Sequence, residues 1–201
     1  MCIRDRGQGT LYNQTGQSVY QGLWEVGTRS GNGTAWLEDG SIYSGNWVDD
    51  YPDGKGTYLF PDGTEYEGGF IRGKKHGQGT FKEADGFVSY DGEWKDGQRF
   101  GKGRVNKRDS SSYDGDWLDG KPHGNGMFTY PDGRVYTGTM KQGLRQGLGE
   151  LRRSDGSIAY EGEWDRNLRH GKGKAYSASG LIKFDGDFYE GYQSGTGSEY
   201  R

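Results

Sequence analysis

The chain has 201 residues, 40 of them glycine, and its 26 basic side chains nearly cancel 29 acidic ones to leave a formal charge of −3. Leu, Ile, Val and Phe together supply only 29 residues, too few for one thick globular core, and glycine in helix interiors would cost about 1 kcal/mol per position relative to alanine. These figures exclude an ordinary helical or α/β domain, while the 14% aromatic content and the small net charge argue against a solvated coil.

Residues 1–6 match nothing that follows and stand apart as a non-repeat head. From 7 to 201 the chain repeats every 23 or 24 residues. Gly7-Gln8-Gly9 opens this array as the second half of a copy. Six full copies of Tyr-x-Gly-x-aromatic follow at Tyr20-Gly22-Trp24, Tyr43-Gly45-Trp47, Tyr66-Gly68-Phe70, Tyr90-Gly92-Trp94, Tyr113-Gly115-Trp117 and Tyr160-Gly162-Trp164. Two variants, Tyr136-Gly138-Met140 and Phe184-Gly186-Phe188, complete eight. Seven residues after the last member of each triplet comes a Gly-x-Gly pair, from Gly31/Gly33 to Gly195/Gly197, without variation. Length varies only between that pair and the next Tyr, around Asp39-Gly40, Asp62-Gly63, Asp85-Gly86, Asp132-Gly133 and Asp155-Gly156. Asp-Gly between strand-like runs is a strong hairpin signal.

Read with period two, each triplet puts its three residues on one face and acids such as Asp91/Glu93, Asp114/Asp116, Glu161/Glu163 and Asp185/Asp187 on the other. The second halves carry Leu11, Ala35, Tyr58, Phe81, Val105, Phe128, Leu151 and Ala175 on the apolar face. Rings on neighbouring strands can lie flat over positions that lack a Cβ, which gives the glycines a reason. A hairpin is marginal alone, so stability must come from stacking on the next. The pattern predicts an all-β fold: an elongated, single-layer, twisted antiparallel meander of tandem β-hairpins, open-ended like a solenoid. It would hold about 17 strands and run ~77 Å at ~4.8 Å per strand.

The Tyr-x-Gly-x-Trp core, the Gly-x-Gly seven residues on and the period resemble the MORN (membrane occupation and recognition nexus) repeat family over residues 7–201. That resemblance implies an elongated single-layer β-sheet and a role as a protein-interaction or membrane-associated module, often attached to a separate catalytic domain. Met140 and Phe184 depart from the family pattern.

Candidate chemistry is sparse. His76, His123 and His170 occupy one position in alternate copies, about 19 Å apart at four strand spacings, whereas zinc ligands lie within ~2.1 Å of the ion. They read as polar loop residues rather than a metal site. Gly68 to Lys74 and Gly115 to Lys121 match G-x-x-x-x-G-K, but Lys75 and Pro122 stand where a phosphate-binding loop needs Ser or Thr, and no helical pattern follows. The acidic pairs read as cross-strand partners of basic strands. One cysteine, Cys2, excludes a disulfide framework. No catalytic residue, cofactor or metal is expected, and the near-neutral charge speaks against nucleic acid as a partner. No stretch approaches ~18 apolar residues and Met1 to Thr10 lacks the apolar run of a signal peptide, so a cytoplasmic location is expected, with peripheral membrane contact as its variant.

The reading is a non-catalytic repeat scaffold that binds a helix or extended segment of a partner protein through its aromatic, glycine-floored face. The anchors would be Tyr20, Trp24, Tyr43, Trp47, Tyr66, Phe70, Tyr90, Trp94, Tyr113, Trp117, Tyr136, Tyr160, Trp164, Phe184 and Phe188. The alternative is attachment to anionic phospholipid headgroups through basic inter-strand loops at Arg72, Lys74, Lys75, Lys141, Arg145, Arg166, Arg169 and Lys172. A second alternative is an accessory targeting region of a longer enzyme. Both ends fall mid-repeat, which reads first as a fragment of a longer protein and second as end-to-end self-association.

Overall fold

The computed structural model describes residues 6–199; the head, apart from Arg6, lies outside them. The chain divides into two compact units, one ending at Arg99 and one beginning at Phe100. Among the described residues every regular element is a strand.

The first unit contains Arg6–Tyr12 (β1), Ser18–Glu25 (β2), Thr28–Trp36 (β3), Ile42–Val48 (β4), Tyr51–Leu59 (β5), Glu65–Ile71 (β6), Lys74–Lys82 (β7) and Val88–Lys95 (β8). Each pairs antiparallel with the next, from β1–β2 to β7–β8, as an open meander. The second is the same arrangement: Gln98–Asn106 (β9, whose first two residues precede the division), Ser112–Leu118 (β10), Lys121–Thr129 (β11), Val135–Lys141 (β12), Leu144–Arg152 (β13), Ile158–Asp165 (β14), Leu168–Tyr176 (β15), Ile182–Tyr189 (β16) and Tyr192–Glu199 (β17). Its neighbours also pair in chain order, from β9–β10 to β16–β17.

Two kinds of hairpin alternate. After each Gly-x-Gly strand comes a three-residue loop closed by Gly or Ser in the left-handed region. At Glu38-Asp39-Gly40, Gly40 has φ +86°, its N–H donates to Leu37 O at 3.0 Å, and Leu37 N–H donates to Ser41 O at 2.8 Å. Asp39 Oδ1 accepts from the Ser41 N–H at 2.9 Å, so the aspartate locks the turn whose glycine closes it. Its carboxyl is held below the ordinary carboxylate range, first by that backbone bond. The Asp-Gly hairpins expected from sequence are all of this kind.

The other hairpins, between the triplet and Gly-x-Gly, are two-residue loops with both central residues at positive φ, as in Asp119-Gly120 (50° and 76°) and Arg72-Gly73 (46° and 78°). That is the type I′ turn, whose twist suits paired strands. Because it takes only two residues, the strands run right up to it. This corrects the placement of several residues expected in loops: Lys74, Lys75, Lys141, Arg145, Arg169 and Lys172 lie in strands, as do His76, His123 and His170, leaving Arg72 and Arg166 in turns.

The two glycines of each Gly-x-Gly have different tasks, where the sequence suggested one shared floor. The first sits where the ladder slips: Gly45 faces Gly56, but Trp47 faces Pro52, and Gly54 takes up the bulge at φ +93°. The second lies beneath a ring. A Cβ on Gly56 would stand 2.4 Å from the Tyr43 hydroxyl oxygen and 2.6 Å from the ring carbons.

The 24-residue spacing also has a local cause. Tyr90 faces Phe81 in normal register, but Lys82 then faces Val88, so Ser89 is the extra residue of a bulge. Corresponding slips precede Tyr160 and Phe184, the other two starts reached after 24 residues, while the ladders leading to Tyr43 and Tyr66 run without one.

Candidate functional site

The core is one row of rings per unit. Tyr20, Tyr43, Tyr66, Tyr90, Tyr113, Tyr136 and Tyr160 are at most 2% exposed, and Trp47, Phe70, Trp94, Trp117, Met140, Trp164, Phe184 and Phe188 at most 7%. Trp24 is half-buried. Tyr20, Tyr43, Tyr66 and Tyr160 are each gripped edge-to-face on two sides, while Tyr113 and Tyr136, on either side of Met140, each meet one indole. Tyr43 meets Trp47 of its own copy at 5.1 Å and Phe70 of the next at 5.1 Å; Tyr160 meets Trp164 and Phe188, both at 5.1 Å. Such contacts add about 0.5–1.5 kcal/mol apiece beyond area burial. They also tie copy to copy, as the stacking argument requires.

The polar tips of the rings are satisfied inside the sheet. Every tyrosine in the row donates its hydroxyl to the carbonyl three residues on, at 2.9 or 3.0 Å, as from Tyr43 to Asn46 O and from Tyr136 to Thr139 O. Burial pushes the phenols of Tyr66, Tyr136 and Tyr160 up to about 12. The indole N–H of Trp47 donates to Gly33 O at 3.0 Å, and that of Trp164 to Gly149 O at 3.0 Å. Met140 and Phe184 keep the packing of their copies: Phe184 lies over Gly197 and meets Phe188 at 5.2 Å.

What covers the rings was missed in the sequence. The residue two before each first glycine sits on the ring face, directly across from the triplet's last member: Arg29 faces Trp24, Pro52 Trp47, Lys75 Phe70, Pro122 Trp117, Arg145 Met140 and Arg169 Trp164. The basic members then lean over the ring of the following copy. Arg29 lies 4.2 Å from the Trp47 centroid, Arg145 4.1 Å from Trp164, Lys75 4.8 Å from Trp94 and Arg169 5.2 Å from Phe188. These are cation–π distances. The signal was a fixed phase filled by Arg, Lys or Pro in every full copy but the last, where it is Gln193, and it was hidden because the basic members were read with the turns beside them. Lys75 is enclosed by Phe60, Tyr66, Phe81 and Trp94 at 4.8–5.1 Å, and burial lowers its pKa.

The opposite face is polar. In the first unit it combines hydroxyls with ion pairs: Thr34 and Ser44 are bonded at 2.9 Å, Lys82 meets Glu65 at 2.8 Å and Glu67 at 2.9 Å, and a groove of about 870 Å³ lies among Ser44, Thr57, Glu67, Gln78, Thr80 and Lys82. In the second it carries ion pairs, Lys172–Asp187 at 2.9 Å and Lys174–Asp185 at 3.8 Å, and Glu163 accepts from the Lys172 N–H at 2.9 Å. The acidic strand positions thus serve cross-strand bonding. Of the basic residues considered for lipid, Lys75, Arg145 and Arg169 belong to the ring face, Lys172 to the opposite face, and Arg72, Lys74, Lys141 and Arg166 are exposed near the two-residue turns. No group of three or more His, Cys, Asp or Glu suited to a metal occurs among the described residues.

Hairpins of fixed phase, rings clasped from copy to copy and glycines reserved for ring contact define a tandem β-hairpin repeat scaffold. The MORN repeat profile matches residues 20–42, 43–65, 66–87, 90–106, 113–133, 136–158 and 160–182, and the chain belongs to that family. No curated protein matches the chain. Among solved structures, the SAS-4 (dCPAP) TCP domain in complex with a proline-rich motif of Ana2 (dSTIL) of Drosophila melanogaster is similar at 12% identity. The alignment covers 90% of each chain with a TM-score of 0.46.

Proposed function

We propose that the chain is a non-catalytic scaffold whose ring face holds a segment of a partner protein. The observation that carries this reading is the continuity of that face within each unit: buried rings in constant phase, covered by half-buried Arg, Lys and Pro side chains and bordered by partly exposed Tyr58, Phe60 and Phe81. Of the side chains left accessible on that face, Arg and Tyr are among the kinds that dominate the energetics of protein interfaces. The rings themselves are occupied by packing, so the partner meets the side chains that cover them. Lipid attachment has less support, because the eight basic residues are divided between two faces and the turns.

A photo-crosslinking amino acid in place of Phe60, compared with one in place of Thr80 on the opposite face, tests the proposal. Protein adducts should form from position 60. Adducts formed only from position 80 would overturn it.

A further inference from the structure

Arg29 and Arg145 occupy equivalent positions and make the same set of bonds. The Arg29 N–H and Nε donate to Asp50 Oδ1 at 2.9 and 3.0 Å, and an Nη donates to Asp50 O at 2.9 Å. The Arg145 N–H and Nε donate to Asn167 Oδ1 at 2.9 and 3.4 Å, and an Nη donates to Asn167 O at 2.6 Å. Asp50 and Asn167 are also alike in being the second residue of a type I′ turn, at φ +69° and +74°. In the first unit the guanidinium is therefore neutralised by a carboxylate, and in the second it is held by an amide of nearly the same shape.

Arg169, on the strand two beyond Arg145, likewise has a neutral partner: its Nη donates to Gly191 O at 2.9 Å. The ionisable groups acting on Arg145 are the phenols of Tyr130 and Tyr136 and the guanidinium of Arg134, with no carboxylate among them. Two half-buried cations thus stand over Trp164 and Phe188, part of their hydration already exchanged for ring faces and carbonyls. Further N–H donors are left over, since Nη1 of Arg145 and Nε of Arg169 meet no described acceptor. A carboxylate arriving there would make charge-assisted bonds in a poorly hydrated setting, where they are shorter and about twice as strong as neutral ones.

We infer that the ring face of the second unit docks an acidic helix of the partner protein, with one carboxylate on Arg145 and another on Arg169. This inference rests on the protein-scaffold reading above. Two strand spacings separate the arginines by about 9.6 Å. On a helix, residues seven apart lie on one face at a rise of about 10.5 Å, whereas on an extended strand the nearest match, three residues, puts the side chains on opposite sides. Helical geometry fits the spacing; extended geometry does not.

The test pans a library of random 16-residue peptides, displayed singly, against the full chain and then measures the selected peptides as synthetic probes. Binders should be enriched in Asp and Glu seven residues apart, and their affinity should fall at least tenfold in Arg145→Gln and in Arg169→Gln. Asn167→Asp installs in the second unit the carboxylate that the first already has. It leaves both arginines in place, preserves the turn and should weaken the same peptides at least fivefold, so it decides the matter even if an arginine variant fails to fold. Asp50→Asn should leave these peptides unaffected. Binders without acidic enrichment, or acidic binders indifferent to Asn167→Asp and both arginine variants, would overturn the inference while leaving the scaffold reading intact. No peptide binders of any kind would count against both. Binding to phosphatidylserine vesicles through Arg145 and Arg169, with acidic peptides unable to compete, would replace the helix with a membrane.

Discussion

Around Arg29 in the first unit and Arg145 in the second, the chain builds the same local structure twice and changes one functional group. The type I′ turn, the guanidinium over the next indole and the bond back to the arginine N–H are common to both. Asp50 makes one site an ion pair and Asn167 leaves the other a net cation. The comparison separates what the repeat demands, an acceptor on a residue that tolerates left-handed φ, from what an individual copy can vary, which is charge. Asp and Asn meet the first requirement equally, since both occupy that region more readily than other non-glycine residues. Elsewhere the turn uses Gly, as at Gly97 and Gly191, and bonding there comes from the backbone.

If the frame is shared and only the charge differs, substitutions in the frame should act alike in both units. Gly56→Ala would drive a Cβ into the Tyr43 ring, and Gly173→Ala into the Tyr160 ring, where the built Cβ lies 2.3 Å from the hydroxyl oxygen. Each should destabilise by about 3 kcal/mol, at the upper end of overpacking costs, because the backbone around the ring cannot give way. Urea unfolding measures this, and a harmless substitution at either site would break the comparison at its root.

Charge substitutions should act in opposite directions. Asp50→Asn should cost under about 1 kcal/mol and Asn167→Asp should gain a similar amount, the range for partly exposed pairs. Differential scanning calorimetry of the two variants reads the sign, and matching signs would show that something other than ion pairing separates the sites.

The smallest effect is in acid. Asp50 is held below the ordinary carboxylate range, first by the Arg29 backbone N–H and further by that side chain, with burial opposing. A carboxylate with a depressed folded pKa contributes its stability in full above the unfolded value of about 3.9 and loses it as the pH falls through the folded value. Asn167 has nothing to titrate. Between pH 5 and 2 the Arg29 amide resonance should move and the Arg145 amide should not; equal movement would sink the distinction.

Much of the fold could be read in the sequence because its periodicities are physical. Tyr43, Gly45 and Trp47 share a face for steric reasons, and Asp39-Gly40 marks a turn because only a few residues suit it. The arginine cover was illegible for a different reason. Arg145 is two residues from a first glycine and two from a turn, and nothing in its identity says that its long side chain folds back over the following copy. That depends on the register slip at each first glycine, which places Arg145 opposite Met140 instead of beyond the strand end. The split between the two glycines of Gly-x-Gly was hidden likewise, since left-handed backbone and ring contact select the same residue.

Ser89 and its counterparts before Tyr160 and Phe184 have a consequence for the engineering of this chain. Because the spare residue is absorbed as a kink ahead of the tyrosine, the parity of the strand beyond it is reset. One residue could therefore be added before Tyr43 or Tyr66, or deleted before Tyr90, while the hydroxyl-bearing rings stay on their own side. A residue added between Tyr and Trp has no such outlet and would turn the indole outward into water.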